Sequence, residues 1–139
     1  MNEVDRRFAL TLGVAAAASG LLAPSSSSAQ TSGSAEGKEI APGVRQIDHG
    51  KRESMLPGYK TVSMRDWVYQ PGSSTTFPTM PHDMVCHLTE GELMVNHGPG
   101  KDFVVKKGDV WSCIKGQPEN GKNNGSTVAV MRVIDLLPT

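Results

Sequence analysis

Two framed stretches, Gly72 to Gly91 and Gly108 to Asn123, constrain the fold of this chain more than any other feature. Within them, apolar and polar residues alternate in short runs that end at turn-forming residues, which is typical of β-strands joined by tight turns. Gly91 and Gly108 occupy turn positions where a positive φ costs other residues about 1 kcal/mol or more. Their spacing predicts neighbouring strands of one small β-barrel.

From Val44 onward the pattern predicts strands and turns, and no window keeps a helical period without Gly or Pro. Strands are predicted over 62–69, 84–88, 92–96, 103–106, 110–114 and 127–136, each bounded by Gly, Pro, Asn or Asp. Short strands at regular spacing in an all-β chain indicate a sandwich or a small barrel.

Residues 1–29 are predicted to be a cleavable export signal. Arg6 and Arg7 precede a weakly apolar, alanine-rich run, and a serine tract ends at Ala29, the expected cleavage point. A twin arginine is similar to signals of the twin-arginine translocation route, with the Sec route as the alternative. Either route predicts a periplasmic or otherwise exported bacterial protein. The competing interpretation, a membrane anchor, needs ~20 strongly apolar residues, so no stable membrane span is expected after cleavage.

The rest of the chain divides into a flexible leader, 30–43, and one folded domain, 44–139. The leader is rich in Gly, Ser and Ala and buries too little apolar surface to fold alone. The whole chain carries 14 basic and 14 acidic side chains, and this balance gives no indication of a nucleic-acid partner.

The framed stretches resemble the two motifs of the cupin superfamily. The first motif (G, five residues, H, one, H, three, E, six, G) falls on Gly72, Pro78, Met80, Met84 and Gly91, where only the glycines match. The second motif (G, five, P, one, G, two, H, three, N) falls on Gly108, Ile114, Gly116, Glu119 and Asn123, where Gly108, Gly116 and Asn123 match. The resemblance covers about 43–137 and implies a double-stranded β-helix, or jelly-roll barrel.

The resemblance also implies that the family's metal-binding site is missing from this chain. The four positions that bind metal in the family carry Pro78, Met80, Met84 and Glu119, and thioethers and a proline do not suit a hard or borderline divalent ion. No cofactor and no metal site of the family's kind is therefore expected. Whether the chain is an enzyme stays open, although the lost ligands favour a non-catalytic role.

If residue 84 points inward, as it does in the family, alternation along the strands also places Cys86, Trp111 and Cys113 inside. The predicted function is then the binding of a small molecule in the barrel without catalysis, with a homodimer expected from family habit. The candidate ligand-binding residues are Met80, Met84, Cys86, Trp111, Cys113 and Glu119.

Several alternatives remain open. Met80 and Met84 could simply fill the core, and Glu119 could lie at the solvent-exposed rim. A filled barrel without a ligand is a third possibility. The soft side chains of Met80, His82, Met84 and Cys86 could instead hold Cu(I).

The sequence does not decide whether Cys86 and Cys113, expected on neighbouring strands, form a disulfide or bind a ligand together. A disulfide would exclude the copper site, because it would consume the Cys86 thiol. His49 and His97 fall in predicted loops and carry no signal.

Overall fold

The computed structural model describes residues 36–138, which form ten β-strands. No helix in this part of the chain is long and apolar enough to cross a membrane. The predicted export signal, 1–29, lies outside the described residues. The strands are β1 (Lys38–Ala41), β2 (Val44–Glu53), β3 (Thr61–Tyr69), β4 (Ser74–Phe77), β5 (Asp83–Glu90), β6 (Glu92–Asn96), β7 (Asp102–Lys106), β8 (Val110–Cys113), β9 (Glu119–Lys122) and β10 (Ala129–Leu137).

The strands form two antiparallel sheets around one core. The larger sheet has the order β1-β2-β3-β10-β5-β8, and the smaller has the order β4-β9-β6-β7. Buried residues of both sheets belong to one hydrophobic cluster, so the sheets pack face to face. The all-β prediction is confirmed.

The six predicted strands are present with small shifts at their ends, whereas four strands were not predicted. One is the ten-residue β2, whose second half is exposed. The others are β1, β4 and β9, each four residues long and too short to show a clear alternating pattern. β1 lies within the predicted leader, so for the described residues the folded unit begins earlier than residue 44. The physical reason is that backbone hydrogen bonds to β2 hold Lys38–Ala41, while Ile40 and Ala41 pack against the hydrophobic core.

The inner surface changes character from one end of the strands to the other. Val44, Tyr69 and Ala129 face one another across β2, β3 and β10 and are fully buried. Towards the other end, a row across β3, β10, β5 and β8 contains Ser63, Asp135, Met84 and Cys113. We call this second region the polar end of the barrel.

Gly91 offers a direct test of the turn that joins β5 to β6. Its φ is 74°, and a Cβ there would lie 2.5 Å from the carbonyl oxygen of Val128. Gly108 also has a positive φ, 99°, but a Cβ there would meet no atom within 4 Å. We expect Gly108→Ala to lower the free energy of unfolding by about 1–2 kcal/mol through backbone strain. Gly91→Ala should cost about 1–3 kcal/mol more because of the overlap. Urea unfolding of both variants measures the difference, and equal losses would contradict the contact at Gly91.

Candidate functional site

Two polar clusters lie at the polar end, with Met84 between them in the strand register. The Asp135 cluster comprises Gln46, Ser63, Arg65, His82 and Asp135. The Glu119 cluster comprises His97, Trp111, Cys113 and Glu119.

Asp135 is the centre of the first cluster and is 4% exposed. Its Oδ1 accepts a hydrogen bond from Arg65 at 2.9 Å and lies 2.7 Å from His82 Nε2. Its Oδ2 accepts a bond from the Ser63 hydroxyl at 3.3 Å. Three elements therefore meet at one buried carboxylate: β3, β10 and the turn before β5.

Arg65 links this carboxylate to the aromatic core. Its Nη1 donates to Gln46 Oε1 at 3.0 Å, and its guanidinium lies 4.9 Å from the centre of the Trp67 ring. The Trp67 indole donates to the same Gln46 oxygen at 2.9 Å. The buried Nε of Arg65 has no hydrogen-bond partner, and an unpaired buried donor usually costs about 1–3 kcal/mol.

A cleft of about 320 Å³ opens beside Arg65 and Asp135. We call it the Asp135 cleft. The β2–β3 register shifts between Asp48 and Gly50, a bulge of the kind that often borders binding sites. The cleft is lined by Gln46, Asp48, Gly50, Lys51, Ser63, Met64, Arg65 and Asp135.

The Glu119 cluster surrounds a second buried carboxylate, which is 2% exposed. Glu119 Oε2 lies 2.5 Å from His97 Nε2, and Oε1 accepts a bond from the Trp111 indole at 3.1 Å. The two expectations for Glu119 are thereby resolved, because the carboxylate points into the barrel and not to the solvent-exposed rim.

Cys113 lies against the same carboxylate. Burial and the negative charge of Glu119 raise the pKa of its thiol to about 12, so the sulfur carries its proton at neutral pH. The His97 ring nitrogen, the Cys113 sulfur and a Glu119 oxygen all lie within 4.8 Å of one another.

His97 is a site residue that the sequence did not reveal. It directly follows β6, and Asn96 of that strand pairs with Asn120 of β9. The pairing brings position 97 beside position 119, 22 residues away. A signal for this contact would have required the prediction of β9, whose residues, ENGK, do not resemble a strand.

The six candidate ligand-binding residues all belong to the interior or its edge, and whether they bind a ligand stays a prediction. Met80, Met84, Cys86, Cys113 and Glu119 are at most 3% exposed, and Trp111 packs against the same core. Five clefts on the surface of the described residues are lined by other side chains. Their close packing agrees with a core-filling role.

The copper candidates do not all converge. His82 turns to Asp135, whereas Met84 and Cys86 lie on the inner face of β5, buried in the core. Cys86 and Cys113 lie on paired strands, as expected, and both are free. Cys86 faces Trp111 and not Cys113. A diagonal pair has its Cα atoms about 7–8 Å apart, beyond the usual disulfide range.

The residues at the family's metal positions do not fit the family's ion. Pro78 is exposed and has no ligand atom, and Met80 and Met84 offer buried thioethers. Only Glu119 presents an oxygen ligand. No reaction step through that metal follows for this chain.

Comparison with known proteins identifies the fold. No family model matches the chain, and no curated protein matches it. Among solved structures, it resembles a protein with a double-stranded β-helix domain from Klebsiella pneumoniae (TM-score 0.58, 15% identity, 74% of this chain and 84% of that chain). It also resembles the Cupin_2 domain of an XRE family transcriptional regulator from Enterobacter cloacae (TM-score 0.56, 12% identity, 70% and 99%). A predicted oxalate decarboxylase from Thermotoga maritima is similar as well (TM-score 0.56, 22% identity, 68% and 80%).

These matches define the architecture as the double-stranded β-helix, and the jelly-roll prediction is confirmed. Several of the structural neighbours are described as cupin-domain proteins. Identities of this size show the fold alone.

Proposed function

We propose that this chain is an exported cupin-fold protein that binds a small polar molecule in the Asp135 cleft without catalysis. The observation that carries the proposal is the buried, unpartnered Nε of Arg65 beside a cleft that Arg65 itself lines. Because Nε is itself buried, a small movement of the Arg65 side chain towards the cleft would be needed for a ligand oxygen to satisfy this donor, which no described residue satisfies.

The lining of the cleft suits a small ligand with both donor and acceptor groups. Lys51 and Arg65 contribute positive charge, and Asp48 and Asp135 contribute negative charge. The volume of about 320 Å³ lies at the lower end of the ~300–1,000 Å³ range of small-molecule sites. Binding in the Asp135 cleft also agrees with the close packing of the interior residues, which leaves the interior to a core-filling role.

The arrangement of the cluster favours binding over nucleophilic catalysis. A serine nucleophile is activated by a base that accepts its proton, and an acid then orients that base. Here Asp135 contacts both Ser63 and His82. The carboxylate therefore occupies the position next to the serine that a histidine base would have to occupy.

Export and a homodimer remain proposals. Export is supported by Arg6, Arg7 and the cleavage-like sequence ending at Ala29. The dimer is supported by family habit alone.

The proposal predicts a bound molecule that depends on Arg65. Native mass spectrometry of the protein purified from exporting cells should show one small organic adduct per chain. Arg65→Lys keeps the charge but removes Nε. It should weaken retention roughly tenfold to a hundredfold, the value of one hydrogen bond to a charged group.

Arg132→Lys is the matched control. Arg132 forms a comparable ion pair with Asp66, with its Nε 2.9 Å from a carboxylate oxygen, and lies outside the lining of the cleft. It should retain the adduct. A wild-type protein without an adduct, or equal retention by both variants, would overturn the proposal.

A further inference from the structure

Three side chains with different metal-binding atoms converge in the Glu119 cluster. The His97 nitrogen, the Cys113 sulfur and a Glu119 oxygen lie within 4.8 Å of one another. Two atoms that share one zinc ion are at most about 4.6 Å apart, twice a zinc–sulfur distance. Small side-chain movements therefore suffice to place all three around one ion.

From this geometry we propose that His97, Cys113 and Glu119 bind one divalent transition-metal ion, with zinc the best match. Imidazole nitrogen, thiolate sulfur and carboxylate oxygen are the ligand types of zinc sites. This set differs from the soft set of Met80, His82, Met84 and Cys86 in both residues and metal. It shares only Glu119 with the positions of the family's motifs.

Charge balance favours a divalent ion at this position. A Cys113 thiolate and a Glu119 carboxylate together carry two negative charges, which one divalent cation neutralises with His97 neutral. A buried site with no net charge avoids much of the cost of burying an isolated ion. Trp111 already donates to Oε1 of Glu119, and hydrogen bonds of this kind orient carboxylates that bind metals.

Binding requires a proton to leave and no electron to move. The S–H bond of Cys113 breaks, its proton passes to solvent, and the sulfur forms a bond to the metal. The proton that His97 Nε2 shares with Glu119 moves to Nδ1 of the same ring or to solvent. The Nε2 lone pair and the Glu119 oxygen are then both free to bind the ion, while Nδ1 carries the remaining proton of the ring. No oxidant, reductant or other reactant is needed.

The metal site is independent of the Asp135 cleft. Met84 lies between Asp135 and Cys113 in the strand register, and none of the three ligands lines the cleft. A protein that binds no molecule in the Asp135 cleft can therefore still be tested for metal binding, and a protein that binds no metal can still be tested for the ligand.

Metal titration of the reduced full-length protein tests the inference. The wild type should bind one Zn²⁺ per chain in competition with a chromophoric chelator. Co²⁺ in its place should give a thiolate-to-cobalt charge-transfer band. Cys113→Ser should abolish that band and weaken Zn²⁺ binding at least roughly tenfold, the smallest loss typical even of residues that only support a ligand.

Cys86→Ser is the matched control, because Cys86 is equally buried and also free but lies outside the cluster. It should keep the band and the affinity. If Cys113→Ser does not fold, His97→Asn provides the second variant, with His87→Asn on the outer face of β5 as its control. We expect only the change at His97 to weaken Zn²⁺ binding.

Three results would overturn the inference: no stoichiometric Zn²⁺ uptake, Co²⁺ binding without the thiolate band, or loss of the band in Cys86→Ser. If the protein takes up no Zn²⁺ but takes up Cu(I) in a way that requires Met80 and Met84, the metal site of the interior consists of the soft ligands instead.

Discussion

Asn123→Ala is expected to lower the free energy of unfolding by about 3 kcal/mol, because one fully buried amide makes three hydrogen bonds worth roughly 1 kcal/mol each. Its Nδ2 donates to the carbonyl oxygens of Tyr69 at 3.1 Å and Thr127 at 2.8 Å. Its Oδ1 accepts from the Gly125 amide at 2.9 Å. Alanine leaves all three backbone groups without these partners.

Asn124→Ala is the control, since the neighbouring side chain is exposed and should change stability by no more than about 0.5 kcal/mol. Urea unfolding measures both variants. Thermal unfolding should show a fall of roughly 12–24 °C for Asn123→Ala, because a domain of this size loses about 4–8 °C per kcal/mol. Equal stability of the two variants would show that the three bonds contribute little.

Asn123 also shows what the sequence could and could not predict. Its spacing from Gly108 and Gly116 matches the second cupin motif, but the motif does not tell which groups the side chain contacts. Those contacts reach Tyr69, 54 residues earlier. The pattern shows local features such as turns and alternation, while the partners depend on how distant strands pair.

The fold was predictable because most of its strands alternate clearly. Along β5, Met84, Cys86 and Leu88 are buried, and the residues between them are partly exposed. Turn glycines such as Gly91 and Gly108 mark the ends of strands, and both have the positive φ that was expected. The short strands escaped prediction because four residues are too few to show an alternating pattern, and because the side chains that β4 and β9 bury, Thr75 and Glu119, are polar.

The candidate sites were less predictable than the fold for the same reason. Arg65 and Asp135 are 70 residues apart, and neither falls in the framed stretches. Trp111 and Cys113 were predicted to face the interior, and Glu119 was expected either there or at the rim. The position of His97 beside them depends on the pairing of β6 with β9, which the sequence did not predict. Side chains that are brought together by the pairing of distant strands cannot be recognised from local sequence patterns.

Asp135→Ala is expected to lower the free energy of unfolding by about 3–5 kcal/mol, the usual cost of removing one partner from a buried ion pair. The Asp135 side chain is 6% exposed, and that of Arg65 is 20% exposed. Alanine would leave the Arg65 guanidinium charged and mostly buried, with Gln46 and the face of Trp67 as its remaining partners.

Asp66→Ala supplies the comparison, because Asp66 forms an ion pair with Arg132, whose side chain is 36% exposed. Water can solvate that arginine after the change, so we expect the loss to be smaller by about 2 kcal/mol or more. Arg65→Met combined with Asp135→Ala should recover much of the stability that Asp135→Ala loses, because the double change leaves no unpaired buried charge. Urea unfolding at neutral pH of the three variants tests the argument. If the double variant is no more stable than Asp135→Ala, the loss comes from packing around residue 135 and not from the stranded charge of Arg65.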